Sequence, residues 1–286
     1  MPPASQVPVR DVLSTDGVTL ALHDLGGDGA PVLLCHPTGF LAMTWAPLAE
    51  HLADVAHCWA LDFRGHGDST APTGRDFGWA GMADDVLAVV DDLGVAGVRA
   101  VGHSMGGAAL LMAEQRRAGT FSHLWLFEPI VLPAGPAGPP VRSNPLAEAA
   151  ARRRPWFPDR DTAYANFAAK PPLATLDPAA LRAYVDHGLR DTPDGDAVEL
   201  KCTPEVEAAV FRGSVGNPTF DHLDRVRCPT TVAASGDREG PAQLAPRIVE
   251  RLPDGRLERH PNLTHFGPME DPAGMAAAVR SALELG

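Results

Sequence analysis

The sequence is short of the features that mark several large classes of protein. Cysteine occurs only at Cys35, Cys58, Cys202 and Cys228 among 286 residues, and no two form a C-x-x-C pair. That spacing suits neither a zinc cluster nor a disulfide framework, and it predicts buried free thiols in a reducing compartment. Positive charge is also scarce: 24 Lys and Arg stand against 36 Asp and Glu, a net charge of −12. Nucleic-acid binding needs a basic face that displaces counterions, so nucleic acid is not an expected partner. The one basic cluster, Arg152-Arg153-Arg154, stops at Pro155 and reads as the solvated end of a helix. No apolar run approaches the roughly eighteen residues of a membrane span, and MPPASQVPVRDV lacks the apolar stretch of a leader. A cytoplasmic protein with no membrane partner is expected. No H-E-x-x-H, phosphate-binding glycine loop or EF-hand pattern occurs, so neither a metal nor a cofactor is expected.

What is present is alternation. Short apolar runs that suit buried strands fall at 31–36, 57–62, 98–102, 123–127, 230–234 and 256–260. Helical patterns lie between them near 45–53, 80–93, 105–118, 241–252 and 271–284, the signature of a mainly parallel sheet covered on both faces. Ahead of these, two alternating segments meet at Asp16-Gly17, a hairpin signal. The pattern breaks after Glu128. LPAGPAGPPVRSNP (132–145) reads as a linker, and the following residues look helical, with Asp177-Pro178 and Thr203-Pro204 opening helices. Residues 133–226 are therefore expected to form a helical insertion, with 1–132 and 227–286 making the core.

One stretch concentrates chemistry. VGHSMGG (101–107) places Ser104 between glycines where a strand pattern gives way to a helix pattern. Such a turn strains the serine backbone and lifts Oγ above the sheet, and the helix behind it points amides at developing negative charge. A serine needs a base, and His265 in NLTHFGPMED follows the last strand pattern, in a loop that can reach back. His103, beside the serine, is expected to point away from it by strand alternation. The base needs an acid, and two carboxylates compete at strand ends: Asp237 in SGD and Glu128 in LFEP. The chain order Ser, Asp, His favours Asp237 and leaves Glu128 as the alternative. For the oxyanion, the candidate donors are the amides of Met105 and, in the loop HPTGF, Thr38, because Pro37 has no N–H.

CHPTGF, DFRGHGDS, GHSMGG, SGD and THFGPMEDP together resemble the α/β-hydrolase fold superfamily over nearly the whole chain. The resemblance implies a mostly parallel eight-stranded sheet with helices on both faces, and places 133–226 where that superfamily carries a helical cap. Pro37 and Gly39 depart from the superfamily's His-Gly-x-Pro-Gly loop. The D-x-R-G-x-G-x-S turn (Asp62, Arg64, Gly65, Gly67, Ser69) is structural in such proteins. Dehalogenases and epoxide hydrolases on this fold need an aspartate where Ser104 stands, although some dehalogenases carry a glutamate after the sixth strand. The reading that follows is a serine hydrolase cleaving carboxylic esters of small hydrophobic molecules through an acyl-enzyme. Phe40, Trp156, Phe157, Tyr164 and Phe167 are candidate pocket residues. A carbon–carbon bond hydrolase for diketone-like substrates and a low-turnover ligand-binding or sensor protein are the alternatives. The expected partner is a small-molecule substrate, and homo-oligomerisation is left open.

Overall fold

Asp16 and Gly17 both take positive φ, 60° and 73°, the conformation that a two-residue hairpin turn demands. The turn lays β1 (Val9–Leu13) antiparallel on β2 (Thr19–Gly26), with Val12 opposite Leu20. In this computed structural model, which describes residues 7–133, 144–214, 216 and 218–286, strands and helices then alternate. β3 (Ala30–Cys35), α1 (Ala46–Glu50), β4 (Ala56–Leu61), α2 (Trp79–Leu93), β5 (Val98–His103), α3 (Met105–Arg116) and β6 (Phe121–Phe127) follow in order. The next segment holds α4 (Pro145–Ala150), β7 (Trp156–Phe157), α5 (Arg160–Ala168), α6 (Pro178–Gly188), β8 (Leu189–Asp191), β9 (Val198–Leu200) and α7 (Pro204–Arg212). The chain returns through β10 (Thr230–Ser235), α8 (Ala245–Val249), β11 (Gly255–His260), α9 (Gly267–Glu270) and α10 (Pro272–Ala282).

Eight strands form one sheet in the order β1-β2-β4-β3-β5-β6-β10-β11, parallel from β4 to β11. Parallel pairing needs crossovers, and the intervening helices bury both faces, which is why the central strands are apolar throughout. One face packs Met82, Val86 and Val89 of α2 and Leu110 and Leu111 of α3. The other carries Leu48 of α1 and Val279 of α10, and its core runs on without a break into Phe157, Phe167, Leu181 and Tyr184 of the inserted segment. No described helix is long and apolar enough to cross a membrane.

The expectation that the insertion is purely helical is corrected. β7, β9 and β8 pair antiparallel in a small second sheet. Strands of two or three residues are too short to leave a period-two signal. Asp177 and Thr203 do cap α6 and α7, accepting from the amides of Ala179 (2.7 Å) and Val206 (3.4 Å). Most of the linker expected at 132–145 lies outside the described residues. All four cysteines are buried and unpaired.

Candidate active site

The turn between β5 and α3 is a single residue. Ser104 has φ 54° and ψ −112°, a conformation costly for any residue but glycine. Three backbone bonds hold it: Ser104 N–H donates to Phe127 O (3.0 Å), while its carbonyl accepts from Ala108 (3.1 Å) and Ile130 (3.2 Å). A β-carbon on Gly106 would stand 2.2 Å from the Cys35 carbonyl oxygen. The glycine thus lets the end of β3 close against the serine turn, bringing the following loop beside Met105. The Thr38 hydroxyl reaches the Met105 sulfur at 3.4 Å.

That loop is buttressed by two neutral imidazoles. His36 Nε2 accepts from Phe63 N–H (3.1 Å) while Nδ1 donates to Pro37 O (2.8 Å). His66 Nε2 accepts from Gly39 N–H (3.1 Å) while Nδ1 donates to Arg64 O (3.1 Å). A ring that accepts at one nitrogen and donates at the other is uncharged. Burial enforces that state, pushing His36 down to about 4 and His66 down to about 3. Pro37 has no amide hydrogen, and Gly39 and Phe40 spend theirs on His66 and Pro37 O. Among residues 37–40, Thr38 is the one whose N–H has no partner among the described backbone bonds.

The turn 62–69 is the foundation under this loop. Asp62 accepts from the Ala42 (2.6 Å) and Asp68 (2.9 Å) amides and from His23 (2.9 Å), and Arg64 is buried against Asp85 at 2.8 Å. Ligand atoms of His23, Asp62 and Asp68 lie within 4.8 Å of one another, close enough for a cation. They are committed to each other and, at Asp68, to Lys201 (2.5 Å), so no ion is assigned there.

His265 sits in the loop after β11. Its backbone N–H donates to Asp237 Oδ2 (3.2 Å), and Thr264 donates to Glu270 from both its amide (2.8 Å) and its hydroxyl (2.5 Å). The ring does not meet Asp237. Nδ1 lies 2.5 Å from Glu128 Oε2, while Oε1 of the same carboxylate accepts from Ser235 N–H at 2.8 Å. The expectation that Asp237 would hold the ring is corrected at this point. β6 and β10 are neighbours, so both carboxylates reach the same rim. The short Asp237 side chain stops at the loop backbone, and the longer Glu128 passes beneath to the imidazole. Glu128 itself carries a left-handed φ of 44°, which turns its side chain under the loop. Burial raises its pKa, but hydrogen bonds from His265 and Ser235 outweigh that and hold the carboxyl below its ordinary value. An ionised Glu128 fixes the Nδ1–H tautomer and leaves Nε2 free to accept a proton.

His103 does not point away, as strand alternation suggested. Its ring packs on that of His265, with centroids 4.8 Å apart. Burial, aided by the neighbouring imidazole, keeps His103 well below its ordinary pKa and hence neutral. It acts as an uncharged wall against the candidate base.

The aromatic candidates divide. The Phe40 ring lies 5.7 Å from that of Phe266, which neighbours His265, so Phe40 borders the site. Phe157 and Phe167 pack on one another (5.2 Å) and, through Phe167, on Tyr184 (5.6 Å), forming the core of the inserted segment. Trp156 is 53% exposed beneath Arg154, and Tyr164 lies under Arg182 at 4.1 Å. A cavity of about 10 Å³, room for one water, lies between the loop and the inserted segment and is bordered by Gly39, Phe40, Leu41 and Tyr184. Sequence reasoning had no signal for Ser235, Phe266 or Glu207 as neighbours of the site.

Comparison with known proteins bears on the whole chain. The family described as "Alpha/beta hydrolase family" matches residues 32–278. A Caulobacter sp. (strain K31) protein named "Putative carbamate hydrolase RutD" is 26% identical over 94% of this chain and 97% of its own. Among solved structures, E-2-(acetamidomethylene)succinate hydrolase superposes with a TM-score of 0.78 at 20% identity, covering 98% of this chain and all of that one. A thermophilic esterase from Thermogutta terrifontis gives 0.73 at 23% identity, covering 97% and 98%.

Proposed function

The chain belongs to the alpha/beta hydrolase family and is a hydrolase, and from that premise we propose that it cleaves carboxylic esters of small, largely apolar molecules through an acyl-enzyme on Ser104. His265 Nε2 takes the Ser104 proton as Oγ attacks the ester carbonyl. The tetrahedral oxyanion is held by the amides of Thr38 and Met105, helped by the positive end of α3. His265 then returns the proton to the departing alkoxide, and a water activated by the same nitrogen releases the acid. Glu128 is the acid of the triad: it orients the ring and stabilises the imidazolium that forms at each step. Asp237 is a positioning residue that ties down the loop carrying the base.

The observation that carries this reading is the 2.5 Å contact between Glu128 and the His265 ring, one residue beyond a neighbouring strand from the strained serine. The Phe266 ring against His265, with Phe40 packed on Phe266, favours a small apolar acyl group over a polymer. The test is labelling by a fluorophosphonate, read by mass on the intact protein and on Ser104→Ala. One adduct on the native chain and none on the variant are expected. An unlabelled native protein would favour a ligand-binding role on this fold. Turnover of short-chain esters should then exceed that of matched carbamates and 1,3-diketones. A faster carbamate or diketone would overturn the ester assignment while retaining the nucleophile.

A further inference from the structure

Above the oxyanion loop, the inserted segment presents three polar side chains that the reaction does not use. Arg153 pairs with Glu207 and donates from Nη2 to the Tyr184 hydroxyl at 2.6 Å. It is not the solvated helix end that the basic cluster suggested: only 23% of its side chain is exposed, and 9% of that of Glu207. The Glu207 carboxylate rests on the bare Cα of Gly39, where a β-carbon would stand 2.7 Å from Oε1. Gly39 follows Thr38, so the cluster roofs the loop assigned to the oxyanion. Tyr184 closes the roof on its other side, its ring 5.3 Å from that of Phe40.

A lone guanidinium in such a roof would recruit anionic substrates. Here one carboxylate balances it, and a second carboxylate brought in by a substrate would face Glu207 in a partly desolvated setting, where like charges repel strongly. The described contacts engage two of the five Arg153 N–H groups and one of the two Glu207 oxygens. Donors and an acceptor therefore remain for a neutral group that offers both, such as a carboxamide or a hydroxyl.

We propose that Arg153, Glu207 and Tyr184 form a charge-balanced recognition site for the part of the substrate remote from the scissile ester, and that Glu207 makes the protein select uncharged over anionic substrates. This rests on the assignment of Ser104 as the esterase nucleophile.

The probe pair is ethyl succinamate and monoethyl succinate, esters of nearly the same shape that end in a carboxamide and a carboxylate. The native protein is expected to prefer the carboxamide by tenfold or more in kcat/KM. Glu207→Gln, which frees Arg153, should lower that ratio at least tenfold. Adding Arg153→Met to that variant should remove the gained activity on the anion. Should Glu207→Gln fail to fold by circular dichroism, Arg153→Met alone gives the opposite sign: an unpaired Glu207 should raise the ratio about tenfold. A native ratio near one or favouring the anion would overturn the proposal, as would a ratio unmoved by the folded variants. If neither ester is hydrolysed and Ser104 resists the fluorophosphonate, the underlying reading fails, and this one with it.

Discussion

Glu128→Gln is the sharpest perturbation available, because it keeps the shape of the side chain and removes only its charge. Glu128 is fully buried and its carboxylate meets Nδ1 of His265 at 2.5 Å. Taking the charge centres as about 4 Å apart and an effective dielectric of about 20, stabilisation of the imidazolium is worth about 4 kcal/mol. Its loss corresponds to about a thousandfold in kcat, since the imidazolium exists only once the serine proton has moved. The amide can also present its NH2 to Nδ1, stabilising the wrong tautomer. Asp237→Asn is the matched control. Asparagine keeps an oxygen for the His265 backbone N–H, so the rate should fall less than about tenfold. Both variants are compared with the native protein in steady-state hydrolysis of p-nitrophenyl butyrate, with circular dichroism confirming folding. A Glu128→Gln enzyme of near-native rate, or an Asp237→Asn enzyme that loses more, would refute the assignment of the acid.

Other consequences follow from the same geometry. His36 and His66 stay neutral in the fold, with pKa values lowered to about 4 and about 3, while the unfolded chain protonates near 6.5. The unfolded state therefore binds more protons below pH 6.5, and stability is full above that pH and falls as pH drops toward 4. Each histidine accounts for about 2 kcal/mol between pH 8 and pH 5. Urea unfolding at the two pH values measures this, and equal midpoints would contradict the buried neutral assignment. Glu128, held below its ordinary carboxylate value, adds stability above about pH 4.5 that is lost as pH falls through its folded pKa, and the Gln variant should lack that loss. Gly106→Ala forces a methyl against the Cys35 carbonyl at 2.2 Å, and a thermal melt should show a loss of more than about 2 kcal/mol. A near-native melt would mean that the β3 loop does not close on the serine turn as described.

The sequence by itself determined the sheet, the strand-to-helix turn at Ser104 and the loop that carries His265. Those features are written in local patterns: apolar runs of strand length, glycines around one serine, capping residues ahead of helices. The hairpin at Asp16-Gly17 and the caps at Asp177 and Thr203 are legible for the same reason, since a turn or cap is chosen by two or three adjacent residues. Only the tertiary structure shows which carboxylate meets the His265 ring, Glu128 at Nδ1, while Asp237 takes the backbone N–H. Both stand just past the ends of adjacent parallel strands, and nothing along the chain tells which will turn under the histidine loop; the left-handed backbone at Glu128 and its extra methylene do that. The same holds for His103, whose ring direction follows from how the β11 loop folds over it, and for Trp156 and Tyr164, whose rings lie under Arg154 and Arg182. Arg153 and Glu207 are 54 residues apart and meet only when two short helices of the insertion close over Gly39. Side-chain direction and long-range pairing depend on how elements pack, and that information is distributed over the whole chain rather than held in any one stretch of it.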